Sequence, residues 1–442
     1  MPTLGEAVQG AMSRLVDAYA YIAPVAIFLI LAPSLGKLLS SPDGNGKRFA
    51  VHAFLWFAKL RAGACLFAVV LTGLVFGLPL FKNGTVGLGG ACLRTLTILA
   101  DAFLYSPYFY AVYAALITVV ISLKVSKVAR ALNKCADGVE RVGGWLVPLV
   151  PVFMLAVGAY IYQLPEVLNG HMAAGGGVEV HPSRLVNICG IDIPTGTGAQ
   201  MFVVYCIGAL LTGVACMIWH LGLLGLARWK LPDFSIRNYF KNYWIRVYPL
   251  LWATSSESLA APLNLHLTQK YYPHVRQEVR RFAIGSGSFL GINGTMICVF
   301  LLAGLTASIL GVEISCLQLL LSTVVLFILG YGVPGIPGEL VLFAGPLVEL
   351  LGVPPTVAPT FILLYVGLQI GLPDSFRTGA NSTDDCISSL LLDQTYKERF
   401  IVEQPAIRPE AAVAVIPLPI GSHEGEEWRQ LLVLQAESTF RE

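Results

Sequence analysis

Charged residues are scarce in this sequence. Lysine, arginine, aspartate and glutamate make up 13% of the 442 residues, whereas 55% are hydrophobic. The mean hydropathy of +0.70 is too high for a soluble domain of this length. The formal net charge of +2 and the lack of a long basic tract give no indication of nucleic-acid binding. The composition therefore predicts a polytopic protein that lies in a lipid bilayer.

The sequence also lacks the patterns typical of disulfide-rich domains, of metal-binding sites and of cleaved signal peptides. Nine cysteines are scattered along the chain, some inside apolar runs, without the spacing of metal ligands or of a disulfide-rich secreted domain. The glycine-rich stretch between His171 and His181 is more typical of an exposed loop than of a metal site. The first 21 residues do not have the pattern of a cleaved signal peptide, so the first apolar segment is interpreted as a retained span. No cofactor is expected.

Long apolar runs are what the sequence has in abundance. A helix needs about 20 apolar residues to cross the hydrocarbon layer. Two stretches, 240–268 and 315–353, are apolar but interrupted by polar or glycine-proline clusters, and they are interpreted as re-entrant helical hairpins. The fold class predicted is an all-α polytopic membrane protein. The seven predicted spans are 18–39, 54–80, 94–123, 144–163, 200–227, 283–311 and 358–392.

The distribution of lysine and arginine among the connections predicts the orientation of the chain in the membrane. The connections 124–141 and 228–241 are basic and should be cytoplasmic, whereas 164–199 carries a single arginine and should be outside. Because 270–281 is basic again, the first hairpin should enter from the cytoplasm and the second from outside, which favours an alternating-access carrier over a pore. The same count places the N-terminus outside, in a multi-pass protein of the plasma (cell inner) membrane. Residues 396–442 are interpreted as a cytoplasmic tail.

Polar residues recur at helical spacing near the end of the last predicted span. Asp374, Arg377, Thr378, Asn381 and Asp385 share one helical face. Because ionisable groups at membrane depth are costly, such a face indicates a substrate or ion site. The alternative is that the charged members form a structural ion pair or mark a helix end near the interface.

Two further polar clusters interrupt apolar stretches. The first hairpin tip, TSSESLAAP at 254–262, offers the hydroxyls of Ser256 and Ser258 to a carboxylate, although Glu257 opposes an anion there. The break GSGSFLGINGT at 285–295 includes Gly291 and Asn293 and could turn carbonyl oxygens towards a cation. The alternatives are an ordinary serine-rich turn and a glycine-rich packing face.

The second hairpin tip, GYGVPGIPGEL at 330–340, contains prolines and glycines that cannot continue a helix. Its flexibility would suit an extracellular gate, and the alternative is a fixed loop. Glu339 adds a second acid near this tip. Either Glu257 or Glu339 could supply a titrating carboxylate for proton coupling.

Four features follow one another along the chain: a serine tip, a broken helix, a Gly-x-Pro-Gly tip and an Asp-x-x-Arg-Thr-x-x-Asn-x-x-x-Asp helix. This order resembles the dicarboxylate/amino acid:cation symporter family, which includes the glutamate transporters. The resemblance covers about 145–392 well and is weaker from Phe54. It implies a glutamate-transporter-like fold with about seven spans and two re-entrant hairpins. It further implies a homotrimer in which a transport domain, 236–395, slides across a scaffold-like part, 1–235.

The resemblance also implies roles for single residues. Asp374 would bind the amino group of the substrate and Arg377 its side-chain carboxylate, whereas Asp385 would hold a sodium ion together with the backbone around Gly291 and Asn293. Thr378 and Asn381 would orient the main carboxylate. The residues implied to close over the ligand are Ser256, Ser258, Gly335 and Gly338.

This chain departs from the family pattern in several places. Glu257 and Glu339 add acids where the family has small residues. Where the family reads Asn-Met-Asp-Gly-Thr, the chain has Gly-Ile-Asn-Gly-Thr at 291–295, so one sodium site should differ. Ile370 replaces an acid often found four residues before Asp374. Relative to the family, the N-terminal part is expected to be short, lacking one span at its start and part of the segment between the second and third spans.

The sequence thus predicts a symporter of acidic or small amino acids, driven by Na⁺ or H⁺. One alternative is a proton-coupled dicarboxylate carrier, and another is a transport-dead sensor or anion channel on the same fold. An intramembrane enzyme would need Ser256 or Ser258 as nucleophile with His266 as base. No enzyme activity is expected, because no motif ties that histidine to the tip.

Overall fold

The computed structural model describes residues 44–81, 107–128, 185–285, 287–330 and 340–400, together with a few single positions outside these ranges. Within them the chain is mostly helical. The elements are α1 (Gly44–Phe76), α2 (Pro107–Lys124), β1 (Leu185–Ile188), β2 (Ile191–Pro194), α3 (Gly198–Lys230), α4 (Ile236–Asn238), a π-helical segment (Tyr239–Trp244), α5 (Ile245–Thr254), α6 (Glu257–Tyr271), α7 (Gln277–Gly285), α8 (Gly287–Leu290), α9 (Asn293–Leu310), α10 (Cys316–Leu329), α11 (Val341–Leu350), α12 (Ala358–Gln369) and α13 (Leu372–Phe400).

Three of the described helices are long and apolar enough to cross a membrane. They are Val51–Phe76 in α1, the whole of α3, and α9. The predicted runs 54–80 and 200–227 therefore correspond to helices, although α1 begins ten residues earlier than 54. The predicted runs 18–39 and 144–163 lie outside the described ranges, so the number of seven spans stays a prediction.

The core of the described part is built around α9. This helix packs against α1, α3 and α12, and every residue of it except Ser308 is buried. The long neighbours α1 and α3 instead expose apolar side chains such as Leu74 and Leu210. Exposed apolar faces of this extent are typical of a surface that meets lipid or another chain.

A β-hairpin corrects the prediction of an all-α chain. β1 and β2 pair antiparallel through a two-residue turn at Cys189 and Gly190, whose φ values are 54° and 82°. Positive φ at both central residues matches the twist of the strands in tight hairpins. The Cys189 amide donates to the carbonyl oxygen of Val75 at 2.7 Å, which attaches the turn to the end of α1. Short paired strands of this kind leave no apolar periodicity to detect.

The apolar stretch 240–268 folds as a helical hairpin, which reverses at the serine cluster. α5 ends at Thr254, Ser255 adopts a left-handed conformation with φ of 48°, and α6 begins at Glu257. α6 is fixed to α13 by Asn264, whose Nδ2 donates to the carbonyl oxygen of Ser382 at 2.8 Å. The side of the membrane from which this hairpin enters stays a prediction.

The predicted span 283–311 is interrupted in the structure. α8 ends at Leu290 and α9 begins at Asn293, so Gly291 and Ile292 lie between two helices. The buried guanidinium of Arg61, on α1, donates to the carbonyl oxygens of Leu290 at 3.0 Å and of Phe327 at 3.1 Å. Arg61 therefore binds the C-terminal ends of both α8 and α10.

The predicted continuous helix 358–392 is wrong, because the structure divides it into α12 and α13. Ile370 is extended, with ψ of 139°, and Gly371 has φ of 93°, a conformation that favours glycine. The Tyr205 hydroxyl spans this break, since it donates to the carbonyl oxygen of Ile370 at 2.8 Å and accepts from the Leu372 amide at 3.2 Å. The polar face predicted within this segment thus begins at a helix N-terminus.

α10 and α11 pack against each other, and the tip between them, 331–339, lies outside the described residues. Gly335, Gly338 and Glu339 are therefore not described. The contacts between Cα atoms divide the chain into Met1–Lys397 and Glu398–Glu442. The division into a scaffold-like part and a transport domain stays a prediction.

Candidate functional site

The first turn of α13 carries a buried ion pair. Arg377 donates from Nε to Oδ1 of Asp374 at 2.6 Å, and its terminal nitrogen contacts the same oxygen. Neither side chain is accessible to solvent by more than a few per cent. A carboxylate in the first turn of a helix is also favoured by the helix dipole. This is the ion pair that the structural alternative for the polar face expected.

Thr295 of α9 and Asn381 of α13 extend this pair into a network. Arg377 donates from Nη1 to Oγ1 of Thr295 at 3.0 Å, and Asn381 donates from Nδ2 to the same oxygen at 2.8 Å. Asn381 Oδ1 accepts from the amides of Gly294 at 2.6 Å and Thr295 at 3.2 Å. A Cβ at Gly294 would lie 2.6 Å from the Arg377 carbonyl oxygen, so glycine allows this close approach.

The first hairpin tip contributes Glu257 to the same network. Its Oε1 accepts from Asn381 Nδ2 at 2.8 Å, and the side chain is buried. The tip also meets α13 through Ser255, whose hydroxyl lies 3.0 Å from that of Ser375. Ser256 is buried at this tip, whereas the side chain of Ser258 is not described. The sequence pattern predicted Ser256 and Ser258 at this tip, whereas nothing in it indicated the Ser255–Ser375 contact.

Thr378 on α13 and Gln369 on α12 have buried polar atoms with no hydrogen-bond partner among the described residues. They are the Thr378 hydroxyl and both amide atoms of Gln369, the last residue of α12. Buried polar groups normally have partners, so such groups indicate where a ligand or water could bind. Thr378 was predicted to contact the substrate, whereas Gln369 lies in an apolar run that gave no reason to single it out.

Asp385 lies against the short helix α8, at its first residue, Gly287, and at Gly291, which follows its last residue. A Cβ at Gly287 would lie 1.8 Å from Asp385 Oδ2, and one at Gly291 would lie 2.1 Å from Oδ1. Within the described residues, Oδ1 has no hydrogen-bond partner. A buried carboxylate oxygen beside glycine backbone that no side chain covers suits a hard cation, which prefers oxygen ligands. The structure therefore brings Asp385 and Gly291 together, as the cation-site prediction expected.

Asn293 lies beside Asp384 instead. Its Nδ2 donates to Oδ2 of Asp384 at 2.9 Å, and its Oδ1 has no hydrogen-bond partner among the described residues. Asp384 also lies 2.7 Å from Nδ1 of His220, on α3. The sequence gives no indication of this pair, because Asp384 is off the predicted polar face and His220 is isolated in an apolar run. A lone histidine and an aspartate 164 positions apart give no joint signal.

The alternative of an intramembrane enzyme finds no support in this geometry. His266 is exposed on α6, and ten residues of helix would place it about 15 Å from Ser256 along the axis. Among the described residues, no group of three or more histidine, cysteine, aspartate or glutamate side chains could hold a metal ion.

The comparison with known protein families agrees with the resemblance seen in the sequence. The model of the Sodium:dicarboxylate symporter family matches residues 192–395. This range begins in β2 and ends near the end of α13, so it includes every described residue of the site outlined above. Together with the apolar helices, the match identifies a membrane protein of a transporter family. Residues 192–395, which are 204 of the 442, are therefore similar to the sodium:dicarboxylate symporter family, and the match supports membership in it.

Proposed function

We propose that this protein is a secondary active symporter that moves an acidic or otherwise small amino acid together with Na⁺ or H⁺. The proposal is supported above all by a cluster of buried acids. Glu257, Asp374, Asp384 and Asp385 are each at most 2% exposed, and Oδ1 of Asp385 has no hydrogen-bond partner among the described residues. Buried charges need partners of opposite sign. An anionic substrate would therefore enter with cations.

Arg377 and its neighbours would bind the substrate. A guanidinium matches a carboxylate as a two-pronged donor, and the Thr378 hydroxyl is available beside it. Asn381 would orient the main carboxylate. For an amino acid, the ammonium group would take the place of Arg377 beside Asp374, so that the present ion pair opens when substrate binds.

Asp385 would hold the coupling ion. Its Oδ1 has no hydrogen-bond partner among the described residues and lies against Gly291. Na⁺ at this position would be a co-substrate, bound and released in each cycle. The Oδ1 of Asn293 could serve a second cation, since it also has no described partner.

The remaining parts of the mechanism follow the family expectation. The two hairpin tips would close over the ligand in an alternating-access cycle of elevator type. The first tip would contribute Ser256 and Ser258, and the second would contribute Gly335 and Gly338. Glu257 and Glu339 are candidates for proton coupling or substrate selection. A homotrimer in the plasma membrane is proposed on the same ground.

A dicarboxylate carrier is the second candidate, and the Asp374–Arg377 ion pair favours it. In this structure the charge of Asp374 is already matched by Arg377. A plain dicarboxylate has no ammonium group to compete for Asp374, so it would leave that part of the pair in place. The two candidates therefore differ in whether the substrate needs an amino group.

Uptake into proteoliposomes tests both candidates. Labelled aspartate, glutamate and succinate would be supplied separately under an inward Na⁺ gradient, an inward H⁺ gradient, and no gradient. We expect gradient-driven accumulation of at least one of these substrates. Accumulation of aspartate but not succinate supports the amino-acid symporter, and the reverse supports the dicarboxylate carrier. Binding without accumulation under either gradient would refute symport and leave a transport-dead sensor or an anion channel.

A further inference from the structure

A cavity of about 450 Å³ lies at the base of the first hairpin, at the opposite end of α6 from the serine tip. It is formed by the turn 231–235 after α3, the π-helical segment, the end of α6 and the last turns of α13. Its lining shares no residue with the proposed transport site. Its volume is that of a small-molecule site. We call it the hairpin-base cavity.

Four of the side chains that line the cavity have polar groups available to a ligand. They are Asn238, Asn242, Tyr271 and Tyr272, and none of them forms a side-chain hydrogen bond with another described residue. An amide offers both a donor and an acceptor, and so does a phenolic hydroxyl. Such a lining suits a ligand that carries hydroxyl groups.

Two exposed cations lie over the ring of Tyr271. The guanidinium carbon of Arg246 is 5.9 Å from the ring centroid, and Nζ of Lys270 is 5.5 Å from it. Lys241, also exposed, belongs to the π-helical segment that lines the cavity. None of these three cations forms an ion pair with an acid in the described part of the chain. Their charge is therefore available to an anion.

The lining itself offers less positive charge. Asp233 is an exposed acid there, and Lys397 is already bound to Asp393 at 2.6 Å. An anionic group of a ligand would therefore lie towards Arg246 and Lys270, whereas its uncharged hydroxyls would meet the amides of the lining.

Apolar side chains exposed beside the cations indicate that the cavity lies at the surface of the bilayer. Ile245, which precedes Arg246, is 60% exposed. Trp229, near the end of α3, is 76% exposed, and Nζ of Lys230 lies 4.7 Å from its ring centroid. Tryptophan and lysine at the end of a spanning helix are typical of the headgroup region. The anion that this region supplies is a phospholipid headgroup.

We propose that the hairpin-base cavity binds the headgroup of an anionic phospholipid that carries free hydroxyls, of which phosphatidylglycerol is an example. The phosphate is held by Arg246 and Lys270. The headgroup hydroxyls bind Asn238 and Asn242, and an acyl chain lies against the exposed Ile245.

The cavity is connected to the transport site by one helix. α6 runs from Glu257 at the hairpin tip to Tyr271 at the cavity, and Glu257 accepts a hydrogen bond from Asn381. A lipid that orders the base of the hairpin lowers the entropy cost of ordering its tip. Bound lipid therefore favours binding of the transported substrate, a consequence that rests on the proposed function.

Native mass spectrometry of the full chain in detergent measures lipid binding directly. We expect phosphatidylglycerol to bind about tenfold or more tightly than phosphatidylcholine with the same acyl chains. Arg246→Gln/Lys270→Gln should weaken phosphatidylglycerol binding by about 25-fold, since each cation near an anionic lipid contributes about fivefold. Lys124→Gln/Lys127→Gln removes the same charge from exposed positions in and after α2, and should leave this affinity unchanged. Equal affinity for the two lipids, or equal loss in the two double variants, would overturn the inference.

Two further measurements locate the headgroup and identify its source. Asn242→Ala keeps every charge and should weaken phosphatidylglycerol binding by about threefold or more, because a hydrogen bond is lost. Native affinity in this variant would place the lipid outside the cavity. Soluble glycerol 1-phosphate should displace the lipid only at concentrations about a hundredfold higher, because it has no acyl chains to bury. Displacement at equal concentrations would identify a soluble phosphate as the ligand and overturn the assignment to lipid.

Uptake into proteoliposomes tests the connection to the hairpin tip. We expect the KM of the transported substrate to fall by about fivefold when phosphatidylglycerol replaces part of the phosphatidylcholine. The native protein and Lys124→Gln/Lys127→Gln should show this fall, and Arg246→Gln/Lys270→Gln should not. The same KM in both membranes would refute the connection. No accumulation in either membrane would refute symport and the connection together, whereas lipid binding measured by mass spectrometry does not depend on transport.

Discussion

Asn381 donates from Nδ2 to Oε1 of Glu257 at 2.8 Å, which joins the tip of the first hairpin to the middle of α13. Both side chains are buried. The hairpin is therefore attached to the helix that carries Asp374 and Arg377 through a carboxylate, in a site where an anion is expected to bind. The hydrogen bond and the negative charge of Glu257 can be separated by mutation.

Glu257→Gln keeps an acceptor oxygen for Asn381 and removes the charge. We expect the protein to fold normally and to bind an acidic substrate more tightly by about tenfold or more, because a buried like charge beside an anion weakens binding and each factor of ten corresponds to about 1.4 kcal/mol. Calorimetric titration with aspartate and succinate measures the change. The exposed Glu313→Gln is the matched control. Weaker binding of both substrates in Glu257→Gln would show that the carboxylate itself assists the ligand.

Asp374→Asn should destabilise the protein by about 3–5 kcal/mol, because it removes the carboxylate partner of a buried guanidinium. The double variant Asp374→Asn/Arg377→Gln should recover most of that loss, since neither charge remains. Chemical unfolding in detergent micelles measures both effects. A single variant Asp374→Asn as stable as the native protein would show that Arg377 does not depend on the carboxylate of Asp374. Both variants should lose uptake of acidic substrates.

Gly287→Ala and Gly291→Ala should each weaken cation binding. Their methyl groups would lie 1.8 Å and 2.1 Å from oxygens of Asp385, so the carboxylate must move. We expect the apparent affinity for Na⁺ to fall by about tenfold or more. Sodium titration of intrinsic tryptophan fluorescence measures it. Gly222→Ala on α3, which has open space around its added methyl group, is the matched control. Native sodium affinity in both variants would place the cation elsewhere.

Arg61→Gln should destabilise the described core by about 2 kcal/mol or more, because it leaves the carbonyl oxygens of Leu290 and Phe327 without their charged donor. Lys59→Gln, two positions earlier on the same helix and exposed, should change stability by less than about 0.5 kcal/mol. Thermal unfolding in detergent compares the two. If both variants melted alike, Arg61 would not be a determinant of the ends of α8 and α10.

Much of the helical architecture was predictable, because apolar length is a strong signal. The runs that became α1 and α3 were found, as were the reversal at the serine tip and the interruption before Asn293. The polar spacing of α13 predicted that Asp374, Arg377 and Asn381 share a face, and they do lie in one network.

Other features depend on tertiary contacts that no local pattern carries. The break at Gly371 was missed because the flanking residues are apolar, and it is completed by Tyr205 from a distant helix. His220 and Asp384 were missed for the same reason, since each gives no signal without the other. The β-hairpin was missed because four-residue strands are too short to show alternation.

The β-hairpin provides an exposed position from which movement of the core helices can be measured. Its turn is bonded to the end of α1 through Val75, and its second strand leads within a few residues into α3. Both helices pack on α9, so the hairpin reports the position of the helix that begins at the proposed site. Cys189 is an exposed thiol at its turn. A dye attached to Cys189 would detect displacement of the buried helix α9 without a probe being placed in the core.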